Sequence, residues 1–283
     1  MAFVKNRRKM YYKHNLDYKY PEKSDEHMID VKHLRDTHFD ENYEYLEKGF
    51  WRTIKKGLFW LCMGTLGFLL CKIRHGIRVH GKKNIRKNKK LFKNGAITVS
   101  NHVFMWDFFG VSMAIFPHLT NFPAWKTNFE GPNGPLIRWA GGMPIPNDSV
   151  MAMKKFNQGM KEVLESKRWL HFFPEGSMWF YYPDIRPLKK TVFRFSVQYN
   201  KPLIPMAYSF RPRKGIQKWF GKTPLVDLHI GEVMLPDMSL PKHEAVDKLH
   251  RDVYRIMQEL VGITPDMENY RTNQNIEEYV KTM

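Results

Sequence analysis

The chain of 283 residues carries a formal net charge of +18, and 14% of its residues are aromatic. This length suits one large α/β domain with its own core plus an N-terminal appendage. The two cysteines, Cys62 and Cys71, lie inside one apolar run, which excludes a disulfide scaffold and indicates small hydrophobes in a reducing compartment. The charge requires an anionic partner, which is nucleic acid, an acidic membrane surface or a phosphate-bearing substrate.

Residues 1–40 form a basic and polar extension without clear periodicity, which predicts loose or irregular structure. Polar sequence follows the basic N-terminus where a signal peptide would be apolar, so no export signal is predicted. A helical pattern begins near Asp40 and runs into residues 57–71, an uncharged stretch and the most apolar part of the chain. As a helix this stretch is about 22 Å long, shorter than the roughly 30 Å hydrocarbon core of a membrane.

Basic residues flank the apolar run on both sides, Lys55 and Lys56 before it and Lys72 and Arg74 after it. A single membrane crossing usually carries its positive excess on one side, so this pattern favours a monotopic or re-entrant anchor over residues 41–74. Both ends of the anchor then face the cytoplasm. The alternative is a buried core helix of a soluble domain.

Strand and helix patterns alternate over residues 75–263, which predicts an α/β domain with a mostly parallel sheet flanked by helices. Residues 264–283 form a C-terminal tail. The basic cluster 82–90 is predicted as a solvated loop or a site for anionic lipid head groups. The predicted strands are 76–81, 95–100, 121–126, 169–173, 202–208 and 226–230. The predicted helices are 108–115, 150–166, 191–199 and 243–261, the second of them capped by a turn at 146–149.

The stretch Ala96–Asp107 is predicted to be a buried strand that ends in Asn101 and His102, with Asp107 five residues after the histidine. Five residues of a regular helix rotate a side chain by about 140°. His102 and Asp107 therefore meet only if the histidine lies in the turn before a helix that Asp107 begins. Asp107 then fixes one imidazole nitrogen and leaves the other to deprotonate a substrate hydroxyl. Alone, the pattern also fits a loop histidine and a helix-cap aspartate.

Two other predicted strand ends carry unusual polar or proline residues. Glu175 follows the apolar strand 169–173 and can bind substrate hydroxyls, whereas the simpler interpretation of Pro174-Glu175-Gly176 is a β-turn. Pro202 and Pro205 stiffen the entry of another strand and can shape the wall of a pocket. Parallel strands bring such ends to one edge of a sheet, where open α/β sheets bind their ligands.

Three blocks in this order resemble the glycerolipid acyltransferases of the 1-acylglycerol-3-phosphate acyltransferase type, over about residues 76–261. The blocks are Asn101-His102-x4-Asp107, Phe173-Pro174-Glu175-Gly176-Ser177 and Pro202-Leu203-Ile204-Pro205. The resemblance implies transfer of an acyl group from a coenzyme A or acyl-carrier-protein thioester to a lysophospholipid, with 1-acylglycerol-3-phosphate giving phosphatidic acid. It also implies an N-terminal membrane-embedded helical motif, which matches the predicted anchor.

The resemblance implies His102 as general base and Asp107 as its orienting partner. It places Asn101, Glu175, Gly176 and Ser177 in the acceptor site. Backbone amides at the helix start after His102 are expected to stabilise the oxyanion. The active site is expected on the cytoplasmic side of the membrane, with the thioester as a co-substrate and no resident cofactor or metal.

One departure from the family concerns the acceptor phosphate. The family's second block places an arginine on this phosphate, whereas Asn147 stands at that position here. Cationic donors can come instead from Lys126, Arg138, Lys189 or Lys190, because a phosphate needs positive donors more than one fixed position. The alternative is an acceptor lipid without a terminal phosphate.

A hypothesis of another class is a basic, non-catalytic protein that binds nucleic acid or a membrane surface. The basic residues are spread over the tail, the flanks of the apolar run and residues 82–90, without a nucleic-acid motif. The expected partners are therefore membrane lipids and acyl-CoA or acyl-carrier protein, and no nucleic acid is expected.

Overall fold

The computed structural model describes residues 12–32, 34–147 and 149–265, and the predicted alternation of helices and strands forms within them. The strands are β1 (Arg78–His80), β2 (Ile97–Val99), β3 (Thr120–Trp125), β4 (Gly142–Ile145), β5 (Trp169–Phe172), β6 (Leu203–Arg211) and β7 (Leu225–Ile230). The helices are α1 (Phe50–Cys62), α2 (Phe68–Arg74), α3 (Lys82–Lys87), α4 (Asp107–Ile115), α5 (Thr127–Glu130), α6 (Gly134–Trp139), α7 (Val150–Glu165), α8 (Thr191–Gln198) and α9 (Lys242–Leu260).

The strands of the described residues form one sheet in the order β1-β7-β6-β2-β5-β3-β4. Only β7 runs antiparallel to its neighbour β6, while every other neighbouring pair is parallel. This confirms the predicted mostly parallel sheet. The carboxyl ends of β2, β5, β3 and β4 consequently lie along one edge, and the turns that follow them meet there.

Helices cover both faces of the sheet, because the inner strands are apolar on both sides. Along β6, Leu203 and Ala207 enter one hydrophobic cluster together with residues of α7, α8 and α9. Their neighbours Ile204 and Met206 point to the other face and pack with residues of α4. This two-residue alternation is the expected pattern of a strand buried on both faces.

The apolar segment forms one continuous helix, in which a π-helical turn, Met63–Gly67, joins α1 to α2. The predicted start near Asp40 is wrong, because the helix begins at Phe50. Residues before it form turns: the amide of Asn42 donates to Asp40 Oδ1 at 2.9 Å, and the buried Tyr45 hydroxyl donates to the Phe39 carbonyl at 2.6 Å. Gly49 adopts a φ of 108°, outside the helical range, directly before the first turn.

The helix is long and apolar enough over Thr53–Arg74 to cross a membrane, judged by length and composition. This helix is longer than the uncharged stretch 57–71, because the basic residues on both sides of that stretch are also helical. Only 11% of its apolar window is buried, so it does not form the core helix of the alternative interpretation. Leu58, Leu61 and Leu69 point outward and are more than half exposed, whereas Trp60 and Cys71 turn toward the domain.

For residues 82–90 the predicted solvated loop is wrong, while the alternative, a site for anionic lipid head groups, stays a prediction. These residues form α3 and the beginning of a 3-10 turn, Lys89–Asn94. The buried Asn84 side chain fixes α3, since its Nδ2 donates to the carbonyls of Ile230 and Gly231 at 3.0 and 2.9 Å. Spacing of charges in the sequence does not reveal this distant contact.

The described part of the N-terminal extension has no regular helix or strand, as predicted, but it is not loose. Phe39 is fully buried in the core beneath β4 and α7. We call residues 12–32 the N-terminal strap, because they run across the surface of the domain. Tyr20 of the strap stacks on Trp179 with ring centroids 5.4 Å apart. The basic tip (residues 1–11) and most of the predicted tail (residues 266–283) lie outside the described residues.

Candidate active site

The carboxyl edge of the sheet brings together the turns after β2, β5 and β3. His102 lies in the turn between β2 and α4, and Asp107 is the first residue of α4. Glu175 lies in the turn after β5, and Lys126 directly follows β3. The structure therefore gathers at one edge groups that the sequence separates by more than 70 residues.

His102 and Asp107 meet as the sequence predicts. His102 Nδ1 lies 2.6 Å from Asp107 Oδ2, and the same oxygen accepts the Val103 amide at 2.9 Å. The carboxylate is 1% exposed, whereas the histidine side chain is 25% exposed. A carboxylate held by backbone amides favours the tautomer with hydrogen on Nδ1, which leaves the Nε2 lone pair available.

Tyr208 supports this corner from β6. Its hydroxyl donates to the main-chain carbonyl of Asp107 in the first turn of α4. Burial, and then the nearby Asp107 charge, raise the pKa of Tyr208 well above its ordinary value, so the hydroxyl stays protonated and keeps donating.

Asn101 was predicted in the acceptor site, but its side chain is fully buried. Its Oδ1 accepts the Tyr208 amide at 2.7 Å, and its Nδ2 donates to the Tyr208 carbonyl at 3.2 Å. This pair of bonds continues the β2–β6 pairing beyond the end of β2. Asn101 therefore positions the His102 turn and does not face a substrate.

Glu175 was predicted to bind substrate hydroxyls, but its carboxylate is 2% exposed and bonded to protein groups. Oε2 accepts the His102 amide at 3.0 Å and lies 2.8 Å from Arg186 Nη2. Oε1 accepts the amide of Arg186 at 2.9 Å. Glu175 thus fixes the main chain of His102, as a buried structural residue.

Gly176 and Ser177 complete the turn after β5. Gly176 has a φ of +86°, and a Cβ there would lie 2.7 Å from the side chain of Lys189. The buried Ser177 accepts Arg186 Nη1 at 2.7 Å. The positive φ favours glycine at position 176, while Ser177 belongs to the buried Arg186 network.

Two aromatic neighbours define the floor beside His102. The His102 ring stacks on Phe173 with centroids 4.0 Å apart and an interplanar angle of 17°. The other neighbour of Phe173 is the fully buried His171, at 4.5 Å and 84°. Burial first, and then the charge of His102, lower the pKa of His171 to about 3, so His171 is neutral at physiological pH.

The four candidate phosphate-binding cations are in different environments. Arg138 donates to the carbonyls of Tyr45 and Glu44 and lies 3.4 Å from Glu47, so its guanidinium joins α6 to residues 44–47. Lys190 Nζ lies 2.7 Å from Asp247 Oδ1 on α9. Arg138 and Lys190 thus bond to residues 44–47 and to α9, and we do not place them in the acceptor site.

Lys189 and Lys126 remain at the carboxyl edge. Lys189 lies against Gly176, and its Nζ is 3.1 Å from Asp25 Oδ2. Lys126 follows Trp125 at the end of β3 and is partly exposed. Asn147, which replaces the family's arginine, is exposed beyond β4, beside the end of β3.

The expected oxyanion donors are largely occupied. The amides of Val103 and Phe104 both donate to Asp107 Oδ2, at 2.9 and 3.4 Å, while the amide of His102 donates to Glu175. These three amides therefore hold carboxylates in place, and the expectation that they face the oxyanion is wrong for this arrangement. The described residues contain no group of His, Cys, Asp or Glu that could hold a metal ion.

Two parts of the site were missed in the sequence. Arg186 is 2% exposed and bonds to both Glu175 and Ser177. The strap contributes Ser24, whose carbonyl accepts Arg186 Nη1 at 2.6 Å, and His27, which stacks on Trp125 at 4.1 Å. For Arg186 the only sequence signal was its position next to the apolar Ile185. No local sequence pattern marks the strap residues Ser24 and His27.

Comparison with known proteins identifies the region of the chain that contains these residues. The family model named Acyltransferase matches residues 76–209, the part of the chain that runs from before β1 into β6 and carries His102, Asp107 and Glu175. Residues 76–209 therefore match the acyltransferase family, which confirms the resemblance to the glycerolipid acyltransferases over this part of the chain.

Among solved structures, the crystal structure of the 1-acyl-sn-glycerophosphate (LPA) acyltransferase PlsC from Thermotoga maritima is similar to this chain. The two share 18% identity with a TM-score of 0.49, and the match covers 77% of this chain and 86% of that chain. No curated protein matches the chain at a significant level.

Proposed function

We propose that the protein transfers a fatty acyl group from a coenzyme A or acyl-carrier-protein thioester to the hydroxyl of a lysophospholipid. The proposed acceptor is 1-acylglycerol-3-phosphate, and the product is then phosphatidic acid. The observation that carries the proposal is the 2.6 Å contact between His102 Nδ1 and Asp107 Oδ2 at the open edge of an acyltransferase-family domain.

In the proposed reaction, Asp107 holds the Nδ1 hydrogen of His102, and Nε2 accepts the proton of the acceptor hydroxyl. The hydroxyl oxygen attacks the thioester carbonyl and forms a tetrahedral intermediate. Its collapse breaks the carbon–sulfur bond and expels the thiolate, which takes the proton back from Nε2. The ester forms without a covalent acyl-enzyme, so this mechanism requires no serine or cysteine nucleophile.

The proposed site lies next to a surface suited to lipid. The ring centroids of Trp60 on α1 and Phe108 on α4 lie 6.3 Å apart, and Phe108 directly follows Asp107. The apolar helix is therefore packed on the helix that orients the base, while its outer face is open. We propose that this face anchors the protein in a membrane as a monotopic or re-entrant segment, with the active site on the cytoplasmic side.

The acceptor head group is proposed to contact Lys189 and Lys126, the candidate cations at the carboxyl edge. The replacement of the family's arginine by Asn147 supports a second candidate acceptor, a lysolipid without a terminal phosphate. Two lysines can hold a phosphate through charge-assisted hydrogen bonds. Each ammonium group acts as a point charge and does not need the bidentate geometry of arginine.

The test is an assay of purified protein in mixed micelles with both acyl-CoA and acyl-carrier protein. Each donor is combined with a panel of lysolipids, and thiol release and acylated product are measured. We expect product with lysophosphatidic acid. Thiol release only with acceptors that lack a terminal phosphate would favour the second candidate, and no release with any acceptor would contradict acyl transfer.

A non-catalytic surface binder predicts different behaviour. A protein held at membranes by its charge alone dissociates at high salt, because screening shortens electrostatic attraction to a few ångströms. Retention of the expressed protein on membranes at about 1 M salt supports the apolar anchor. Salt-sensitive release together with an inactive assay would favour the surface binder.

A further inference from the structure

The N-terminal strap crosses the mouth of the candidate active site, although it lies outside the part of the chain that defines the family. Trp179 Nε1 donates to the Glu26 carbonyl at 2.9 Å, and the Trp179 amide donates to the His102 carbonyl at 3.0 Å. Two residues earlier, the Ser24 carbonyl accepts Arg186 Nη1 at 2.6 Å. Residues 24–26 are thus hydrogen-bonded to Trp179 and Arg186, which also help to position the His102 turn.

The strap also reaches the neighbouring strand end. The His27 ring stacks on Trp125 at the end of β3, with centroids 4.1 Å apart and an interplanar angle of 13°. Burial, followed by the charges of His102 and Lys189, lowers the pKa of His27. The stacking of His27 after β3, together with the bonds of Ser24 and Glu26 to groups that follow β5, places residues 24–27 across the opening between the β5 and β3 turns.

Asp25 lies in the middle of this crossing and pairs with Lys189. Its Oδ2 is 3.1 Å from Lys189 Nζ, and the two side chains are 52% and 42% exposed. The hydrogen bond from Lys189 lowers the pKa of Asp25, so the carboxylate is charged at physiological pH. An exposed pair of this kind is weak and exchanges readily with another anion.

Lys189 packs against the β5 turn, beside the residue that holds the His102 main chain. Its side chain passes directly over Gly176, and its amide donates to the Pro174 carbonyl at 2.7 Å. The residue between these two is Glu175, whose carboxylate holds the His102 amide. Lys189 is thus fixed to the β5 turn, whose Glu175 holds the main chain of His102 in the separate turn after β2.

We propose that the strap forms one wall of the acceptor site. In the absence of substrate Asp25 pairs with the Lys189 ammonium group, and an anionic head group of the acceptor replaces Asp25 in this pair. This inference rests on the proposed function and specifies the substrate class, namely a lysolipid with an exposed phosphate. Asp25 acts as a built-in competitor for that phosphate, because both bind the same ammonium group. The strap thereby discriminates against lipids that cannot displace it.

The opposite effects of two variants test this proposal. Lys189→Ala removes a charge-assisted hydrogen bond and is expected to raise the KM for lysophosphatidic acid by about 10-fold. Asp25→Asn removes the competitor and is expected to lower the same KM by about 2-fold to 5-fold, since an exposed ion pair contributes little. Both variants are expected to keep kcat within about 2-fold, because neither touches the reacting atoms.

Matched controls come from the neighbouring pair Lys190 and Asp247, which lie 2.7 Å apart on the α9 side of the domain. Lys190→Ala and Asp247→Asn are expected to leave the KM unchanged. Thermal unfolding of all four variants monitors folding, and Lys189→Arg is expected to restore most of the affinity.

The outcomes separate this inference from the proposed function. No acyl transfer by the wild-type protein to any lysolipid contradicts the proposed function itself. Transfer with an unchanged KM in both Lys189→Ala and Asp25→Asn contradicts only the role of the strap. A higher KM in Asp25→Asn also overturns it, because Asp25 would then bind the acceptor instead of competing with it.

Discussion

The turns after β2 and β5 both present a buried carboxylate to His102, yet they act on different parts of it. Asp107 contacts the imidazole, and Glu175 contacts the main-chain amide. The first turn leaves the histidine side chain 25% exposed, so one nitrogen can meet a substrate. The second turn buries its polar groups around Arg186.

This difference shows that a polar residue at the carboxyl edge of a sheet is not by itself a substrate ligand. Glu175 and Ser177 sit where ligands bind in open α/β sheets, yet their side chains bond to Arg186. A buried charge needs a partner, and a pair of this kind is expensive to break once it is formed. The β5 turn is therefore rigid support, and the β2 turn is the one to which we assign the chemistry.

The largest expected effect comes from the β2 turn. His102→Ala is expected to lower the rate of acyl transfer by about 10²-fold to 10⁴-fold, because the acceptor hydroxyl loses its general base. Asp107→Asn is expected to cause a similar loss, since the imidazole loses the acceptor that fixes its tautomer. The measurement is the initial rate of thiol release with saturating substrates.

The control is His243→Ala, at a histidine that is 78% exposed on α9. It is expected to keep the wild-type rate. A rate near that of the wild type in His102→Ala would remove the proposed mechanism and the contrast between the two turns.

The second prediction concerns the β5 turn. Glu175→Ala leaves the Arg186 guanidinium buried without its carboxylate and is expected to lower the free energy of unfolding by about 3–5 kcal/mol. Arg186→Met in the same chain is expected to recover part of this loss, because it removes the uncompensated charge. Urea unfolding of the single and double variants in detergent measures both effects.

If Glu175 instead binds the substrate, the result is different. Glu175→Gln would then raise the KM while leaving the urea midpoint unchanged, and Arg186→Met would not compensate. That outcome would place the β5 turn beside the β2 turn as part of the reacting site.

The contacts that were predictable from the sequence are local or follow a simple period. The β2 strand is a short apolar run, and its three residues are fully buried. His102 and Asp107 lie five residues apart, so their contact follows from placing one before and one inside α4. The three family motifs each follow a predicted strand. In a parallel sheet the ends of these strands lie along one edge, so the motifs were expected to meet there.

The contacts that were not predictable join distant parts of the chain through single side chains. Arg186 bonds to Ser24, which is 162 residues away, and Asn101 bonds to Tyr208, 107 residues away. Such contacts leave no periodicity, because only one polar atom at each end is involved. The same reason explains the error at residues 82–90, where the Asn84 side chain bonds to the carbonyls of Ile230 and Gly231.

The smallest effect distinguishes two histidines on neighbouring strands. His102 and His171 contact the same Phe173 ring, at 4.0 and 4.5 Å, but His171 is fully buried and bonds through Nδ1 to Thr98 Oγ1 at 2.9 Å. Its folded-state pKa of about 3 lies below its ordinary value of 6.5, so the folded protein keeps it neutral. Below pH 6.5 His171 is protonated in the unfolded chain but stays neutral in the folded chain. The stability contributed by His171 is therefore complete above pH 6.5 and is lost as the pH falls toward 3.

Between pH 7 and pH 5 this linkage amounts to about 2 kcal/mol for one histidine. His171→Gln keeps a hydrogen-bonding side chain without a titrating group, so its free energy of unfolding is expected to fall by about 2 kcal/mol less than that of the wild type over this range. Urea unfolding at both pH values measures the difference, and His250, which is also buried, is present in both proteins and cancels. An identical pH dependence in the two proteins would mean that His171 is protonated in the folded state. The floor under Phe173 would then carry a charge, and the contrast between an open, reactive histidine and a closed, neutral one would be lost.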